Sequence, residues 1–135
     1  MMRWEEISEG TQLAPLEKAP VDRVQLVKYA GASGDFNRIH YDDGFAREGG
    51  YPSVFAHGML IMAFLGQLVS EFAGGPGGIV KLGCRFRAIT WPGDVITCRG
   101  RVTHKDAGTR TVDLQLQAVT QDGTIVAEGT ASVRM

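Results

Sequence analysis

The residues best suited to chemistry lie in one hexad, Asp35-Phe36-Asn37-Arg38-Ile39-His40, and in Ala56-His57-Gly58 further along. A carboxylate and an imidazole held in one bent loop can together grip and deprotonate a water. Free aspartate is a weak base at neutral pH, with a pKa of about 4. Burial beside an apolar wall raises that value, and a neighbouring imidazole shares the work. Phe36 and Ile39 are apolar fillers between Asp35 and His40, and Asn37 is placed to fix the loop by Asx-type bonds to its own backbone. Gly58 opens an apolar stretch of helical length. At the start of a buried helix the N–H groups are free and the dipole favours negative charge. A glycine there leaves room for a carbonyl oxygen, and such a donor is typically worth roughly 3 kcal/mol in a low-dielectric site. These devices match the demands of adding water across a double bond conjugated to a thioester. Water must arrive at C3, a proton at C2, and charge must be held on the carbonyl oxygen.

Plainer readings stand beside these. Asp-x-Asn after a helix is commonly only a turn, and a single histidine is commonly satisfied structure. His57 is open to three readings: a cap-like donor, a core histidine or a substrate contact, with a structural role favoured. Met59 and Met62 are candidates to line an acyl tunnel beside Phe64, or else core. Asn37 and His57 join them as candidate substrate-side residues. Arg85, Arg87, Arg99 and Arg101 read as a solvated sheet face, with the phosphates of a long cofactor tail as the lesser alternative. His104 reads as surface.

The elements that must position these groups follow from periodicity. Thr11 to Lys18 reads as a short first strand. Asp22 with Gln25 three residues on has the capping-box pattern, predicting a helix to about Ala30 that buries Val24, Val27 and Tyr29 or Ala30, and that Gly31 and Gly34 stop. A short helix is expected over Asp42 to Glu48. Gly58 to Ala73 is helical in length and apolar on nearly every face, which predicts a helix buried all round. The second half alternates apolar and polar residues over Ile79–Ile89, Asp94–Lys105, Thr111–Thr120 and Thr124–Met135, the period of half-buried strands. Asp106-Ala107-Gly108-Thr109 and Gln121-Asp122-Gly123-Thr124 read as hairpin turns, each with a glycine for positive φ. The expected fold is α+β, an antiparallel sheet wrapped around one buried helix.

Composition bounds the alternatives. The chain has 135 residues, which suits one domain over 1–135. A net charge of -1 offers no basic field for nucleic acid. The start, MMRWEEISEG, lacks a signal-peptide pattern, and the apolar run from Met59 to Leu65 is too short for a bilayer. Cys84 and Cys98 fall in strands without metal-type spacing, so free thiols in a reducing cytoplasm are expected.

Tyr29-Ala30-Gly31-Ala32-Ser33-Gly34-Asp35-Phe36-Asn37-Arg38-Ile39-His40-Tyr41-Asp42, followed by Phe55-Ala56-His57-Gly58-Met59-Leu60, closely resembles the hydratase-2 motif of MaoC-like, (R)-specific enoyl-thioester hydratases. The resemblance runs from about Leu13 to Val133. It implies a hot-dog fold, a long central helix wrapped in an antiparallel sheet. It implies that Asp35 and His40 activate the water, that Gly58 gives the oxyanion-hole N–H, and that Asn37 orders the loop. It further implies trans-2-enoyl thioesters of coenzyme A or acyl carrier protein as substrates, (R)-3-hydroxyacyl thioesters as products, no metal or redox cofactor, and a homodimer or higher homo-oligomer. A heterodimer in which this chain is the catalytic subunit is a further possibility of the resemblance. Two positions depart from the motif. Arg38 stands where proline is usual, which loosens the loop or sets a charge near the mouth, and Leu60-Ile61-Met62-Ala63 lacks a serine that some relatives carry. A thioesterase of the same fold is the weaker enzyme alternative, because Glu71 is the only acid on the central helix and lies near its far end.

Overall fold

In the computed structural model, which describes residues 1–135, the alternating second half of the chain forms strands β2 (Ile79–Phe86), β3 (Thr97–Asp106), β4 (Thr111–Val119) and β5 (Ile125–Arg134). With β1 (Leu16–Glu17) they make one antiparallel sheet in the order β1-β3-β4-β5-β2. Three α-helices join the sheet: α1 (Arg23–Ser33), α2 (Asp43–Glu48) and α3 (Gly58–Ala73). The register sets Leu114 of β4 opposite Val102 of β3 and Ala131 of β5, so the apolar residues of three strands share one face. That face closes on α3, whose Leu60, Ile61, Phe64, Leu65, Leu68, Val69 and Phe72 are buried. Helix and strands contribute to a single buried apolar cluster. The architecture is the hot-dog arrangement.

Four local expectations need correction. Helix α3 is not buried all round: Met59, Ala63, Gln67 and Glu71, spaced one turn apart, form an exposed stripe. Helix α1 runs three residues past Ala30, through Gly31, and stops at Gly34, which takes φ of +76° and donates its N–H to the Ala30 carbonyl at 3.0 Å. Its inward face is Leu26 and Ala30, an i, i+4 pair, whereas Val24 and Val27 are exposed. The first strand shrinks to two residues plus a bridge between Gln12 and Arg101. Pro15 between them has no N–H to give to a ladder. In the turn after β3, positive φ falls on Arg110 and not on Gly108. There the Asp106 carboxylate accepts from the N–H groups of Gly108 and Thr109 and closes the turn without it.

Leu65 is fully buried at the centre of the cluster. Leu65→Ala is expected to destabilise the fold by roughly 2–5 kcal/mol through lost burial and a cavity. Urea unfolding checks this: the midpoint should fall while the slope holds.

Candidate active site

The loop from α1 to α2 is built from side chains bonded to nearby backbone. Asp35 N–H donates to Ser33 Oγ at 3.2 Å, Asn37 N–H donates to Asp35 Oδ1 at 3.1 Å, and Ile39 N–H donates to Asn37 Oδ1 at 3.1 Å. Asn37 thereby caps the 3-10 turn Arg38–His40. Tyr41 adds a bond from its hydroxyl to the Phe36 carbonyl at 2.9 Å. Arg38 does not loosen this turn. Its guanidinium pairs with Asp42 Oδ2 at 2.7 Å and lies 4.8 Å from the Phe45 ring centroid, strapping the turn to α2. The pairing holds the Asp42 carboxyl below the usual carboxylate range.

His40 is buried at the end of the turn, and its Nδ1–H donates to the Phe55 carbonyl at 2.7 Å. A carbonyl can only accept, so this bond fixes the tautomer and leaves Nε2 as a lone pair. Nε2 stands 3.9 Å from Asp35 Oδ2. That separation is too long for a direct hydrogen bond and suits a single water shared by two acceptors. The Asp35 side chain is 53% exposed, contrary to the expected burial. Because Oδ1 is engaged by Asn37, Oδ2 is the oxygen left for a reactant.

His57 is 1% exposed and lies beneath this pair. Its ring stacks on His40 at 3.7 Å between centroids and meets the edge of Tyr29 at 4.8 Å. Its Nε2–H donates to the Asp35 backbone carbonyl at 3.2 Å. Of its three readings the geometry favours the structural one, since so buried a ring offers little surface to a ligand. Asp35, His40 and His57 place one donor atom each within 4.8 Å. The two imidazoles are stacked with their planes 23° apart.

Gly58 begins α3 directly after His57. It opens a pocket of about 250 Å³ walled by Phe55, Ile61, Phe86, Ile89 and Val126. A Cβ on Gly58 would lie 3.1 Å from the Phe86 ring, tighter than ordinary contact, so a side chain there would push the ring back by a few tenths of an ångström. Met59 and Met62 do not line this pocket: Met59 belongs to the exposed stripe of α3, and Met62 is half-buried elsewhere on the helix. The pocket residues from Phe86, Ile89 and Val126 escaped sequence reading because they come from strands and a loop far along the chain. On the outer sheet face, Arg87 pairs with Glu128 and Arg101 with Gln115, as expected of a solvated surface. Cys98 is an inert thiol, pushed up to about 12 by burial.

Comparison with known proteins gives a consistent picture. The family described as MaoC like domain matches residues 7–124. An (R)-specific enoyl-CoA hydratase of Rhodospirillum rubrum is 31% identical over 131 residues, covering 96% of this chain and 89% of the relative. An (R)-specific enoyl-CoA hydratase of Aeromonas caviae is 27% identical, covering 82% and 84%. The solved structure of an (R)-hydratase from A. caviae superposes with a TM-score of 0.88 at 25% identity, covering 97% of this chain and 98% of the other.

Burial holds the His57 pKa below its ordinary value, and its Nδ1 has no partner to take a proton's hydrogen bond. A group depressed in the folded state contributes stability above its unfolded pKa of about 6.5 and loses it as pH falls through the folded value. Thermal unfolding of wild type is therefore expected to weaken below about pH 6.5 more steeply than that of His57→Gln. Parallel pH profiles for the two proteins would contradict this role for the ring.

Proposed function

The chain belongs to the MaoC-like domain family, and from that premise we propose that it is an (R)-specific enoyl-thioester hydratase/dehydratase. It adds water reversibly to trans-2-enoyl thioesters to give (R)-3-hydroxyacyl thioesters. The observation that carries the reading is the lone pair of His40 Nε2 facing Asp35 Oδ2 at 3.9 Å, beside a helix start at Gly58 that opens an apolar pocket.

The roles follow from this geometry. The thioester oxygen takes the N–H at Gly58, where the α3 dipole favours the enolate charge. The acyl chain fills the pocket next to Gly58. A water bonded to Asp35 Oδ2 and His40 Nε2 attacks C3, and the electron pair of the double bond moves onto the thioester oxygen. The proton released from water passes to the Asp35–His40 pair, and C2 regains a proton as the enolate collapses. The reverse sequence eliminates water. No metal or redox cofactor enters these steps. Coenzyme A is the favoured carrier, because both curated relatives are named for enoyl-CoA; acyl carrier protein is the alternative.

A thioesterase has less support. Glu71 lies thirteen residues from Gly58 along α3, roughly 20 Å at the helical rise, and its carboxylate is bonded to Gln67. A homodimer joined through β2 is supported by the topology: β2 is an outer strand, and Val80 and Phe86 on it are exposed. No helix is long and apolar enough to cross a membrane. A reducing cytoplasm suits the free thiols of Cys84 and Cys98.

Purified protein is expected to bleach the enoyl absorbance of trans-2-enoyl-CoAs. Asp35→Asn and His40→Gln should each lower kcat by about 100-fold or more while unfolding at the wild-type temperature. A folded variant that keeps most of its rate would refute the role given to that residue. Light scattering on the 14.6 kDa chain should give twice the monomer mass, and a monomer would rule out the sheet-edge dimer.

A further inference from the structure

Two imidazoles stacked at 3.7 Å cannot both carry charge without repulsion, and their hydrogen-bond partners decide which one does. His40 has an acceptor for each nitrogen: the Phe55 carbonyl at Nδ1, and Asp35 Oδ2 facing Nε2 at 3.9 Å across the water position. His57 has only one. Its Nε2–H donates to the Asp35 carbonyl at 3.2 Å, which leaves Nδ1 as the lone-pair nitrogen. Nδ1 is buried without a partner, so a second proton there would be an orphaned donor. The His57 ring therefore stays neutral while the ring above it is free to charge. Tyr29, edge-on at 4.8 Å, and the bond to the Asp35 carbonyl fix its angle.

Hydration puts a charge on that upper ring. As the water oxygen bonds to C3, its O–H bond breaks and the double-bond electron pair moves to the thioester oxygen. The proton sits on His40 Nε2, since an imidazole is ordinarily a stronger base than a carboxylate, until C2 takes it. We propose that His57 is a positioning residue for this step, its neutral π face being the platform on which His40 becomes an imidazolium. This rests on the hydratase reading of Asp35, His40 and Gly58. A cation within about 6 Å of an aromatic face is attracted to it, and more strongly where water is excluded. His40 is 8% exposed, so the platform acts on a desolvated charge.

The test separates the ring from its N–H. His57→Gln keeps a donor for the Asp35 carbonyl and removes the ring, whereas His57→Phe keeps an aromatic face and removes the donor. On trans-but-2-enoyl-CoA, His57→Gln should lose about tenfold in kcat with KM within about twofold. His57→Phe should stay within about threefold of the wild-type kcat. Nitrogen-15 NMR of the histidines, without substrate, reads the same contact apart from catalysis. The pH at which His40 takes its second proton should fall by about half a unit to one unit in His57→Gln and hold in His57→Phe. Equal losses in the two variants, a loss confined to His57→Phe, or a loss in KM alone overturns the proposal. Should His57→Phe not fold, His57→Gln decides: a wild-type kcat or an unmoved His40 titration overturns it. The NMR shift in a protein that hydrates no enoyl-CoA would uphold the platform and overturn the hydratase reading.

Discussion

The site depends on one short hydrogen bond, from His40 Nδ1–H to the Phe55 carbonyl at 2.7 Å. It sets the tautomer, turns the ring, and leaves Nε2 as an acceptor toward Asp35. Without it the imidazole has no reason to present a lone pair to a water rather than a proton. Phe55 lies just before Ala56-His57-Gly58, so the bond also ties the Asp35–His40 loop to the start of α3. His57 reinforces the tie from below, stacking on His40 and holding the Asp35 backbone. The pair proposed to activate water and the proposed oxyanion donor thus belong to one connected unit, although they come from segments separated by α2.

The fold supplies what the loop cannot. An isolated turn of Asp, Asn and His is mobile. Here it is pinned between α1, capped by Asp22 and ended at Gly34, and α2, capped by Asp42. Helix α3 is rigid because the sheet buries most of its circumference, and a rigid helix keeps its free N–H groups in place. Pocket walls from β2, β5 and the loop before β3 then close around Gly58. Apolar burial, main-chain donors and a polar pair meet at one end of one helix.

Much of this was legible in the sequence, for physical reasons that differ by element. The strands and α3 declared themselves through period two and through an apolar run of helical length. Asp35, His40 and Gly58 stand out as part of the full motif from Tyr29 to Asp42 and from Phe55 to Leu60, since an Asp and a His five residues apart are by themselves commonly a turn and structure. Helix α1 was read in the right place with the wrong face: Val24 and Val27 look like core, yet the buried pair is Leu26 and Ala30. The exposed stripe of α3 was hidden because Met59 and Ala63 are apolar by type, and only the position of the sheet tells which turn-spaced row faces out. Of the two readings of Arg38, the ion pair with Asp42 speaks against a looser turn, and proline and an Arg–Asp pair restrain a turn by unlike chemistry. Phe86 was unreadable in advance, because its place beside Gly58 comes from a contact with a residue some thirty positions away.

The most direct test of the account is the crystal structure of Asp35→Asn with trans-but-2-enoyl-CoA bound. The account predicts the thioester oxygen within hydrogen-bond distance of the Gly58 N–H and the acyl chain in the pocket beside it. C3 should face a water held by His40 Nε2. A thioester bound with its carbonyl away from the start of α3, or with C3 turned from His40, would contradict it.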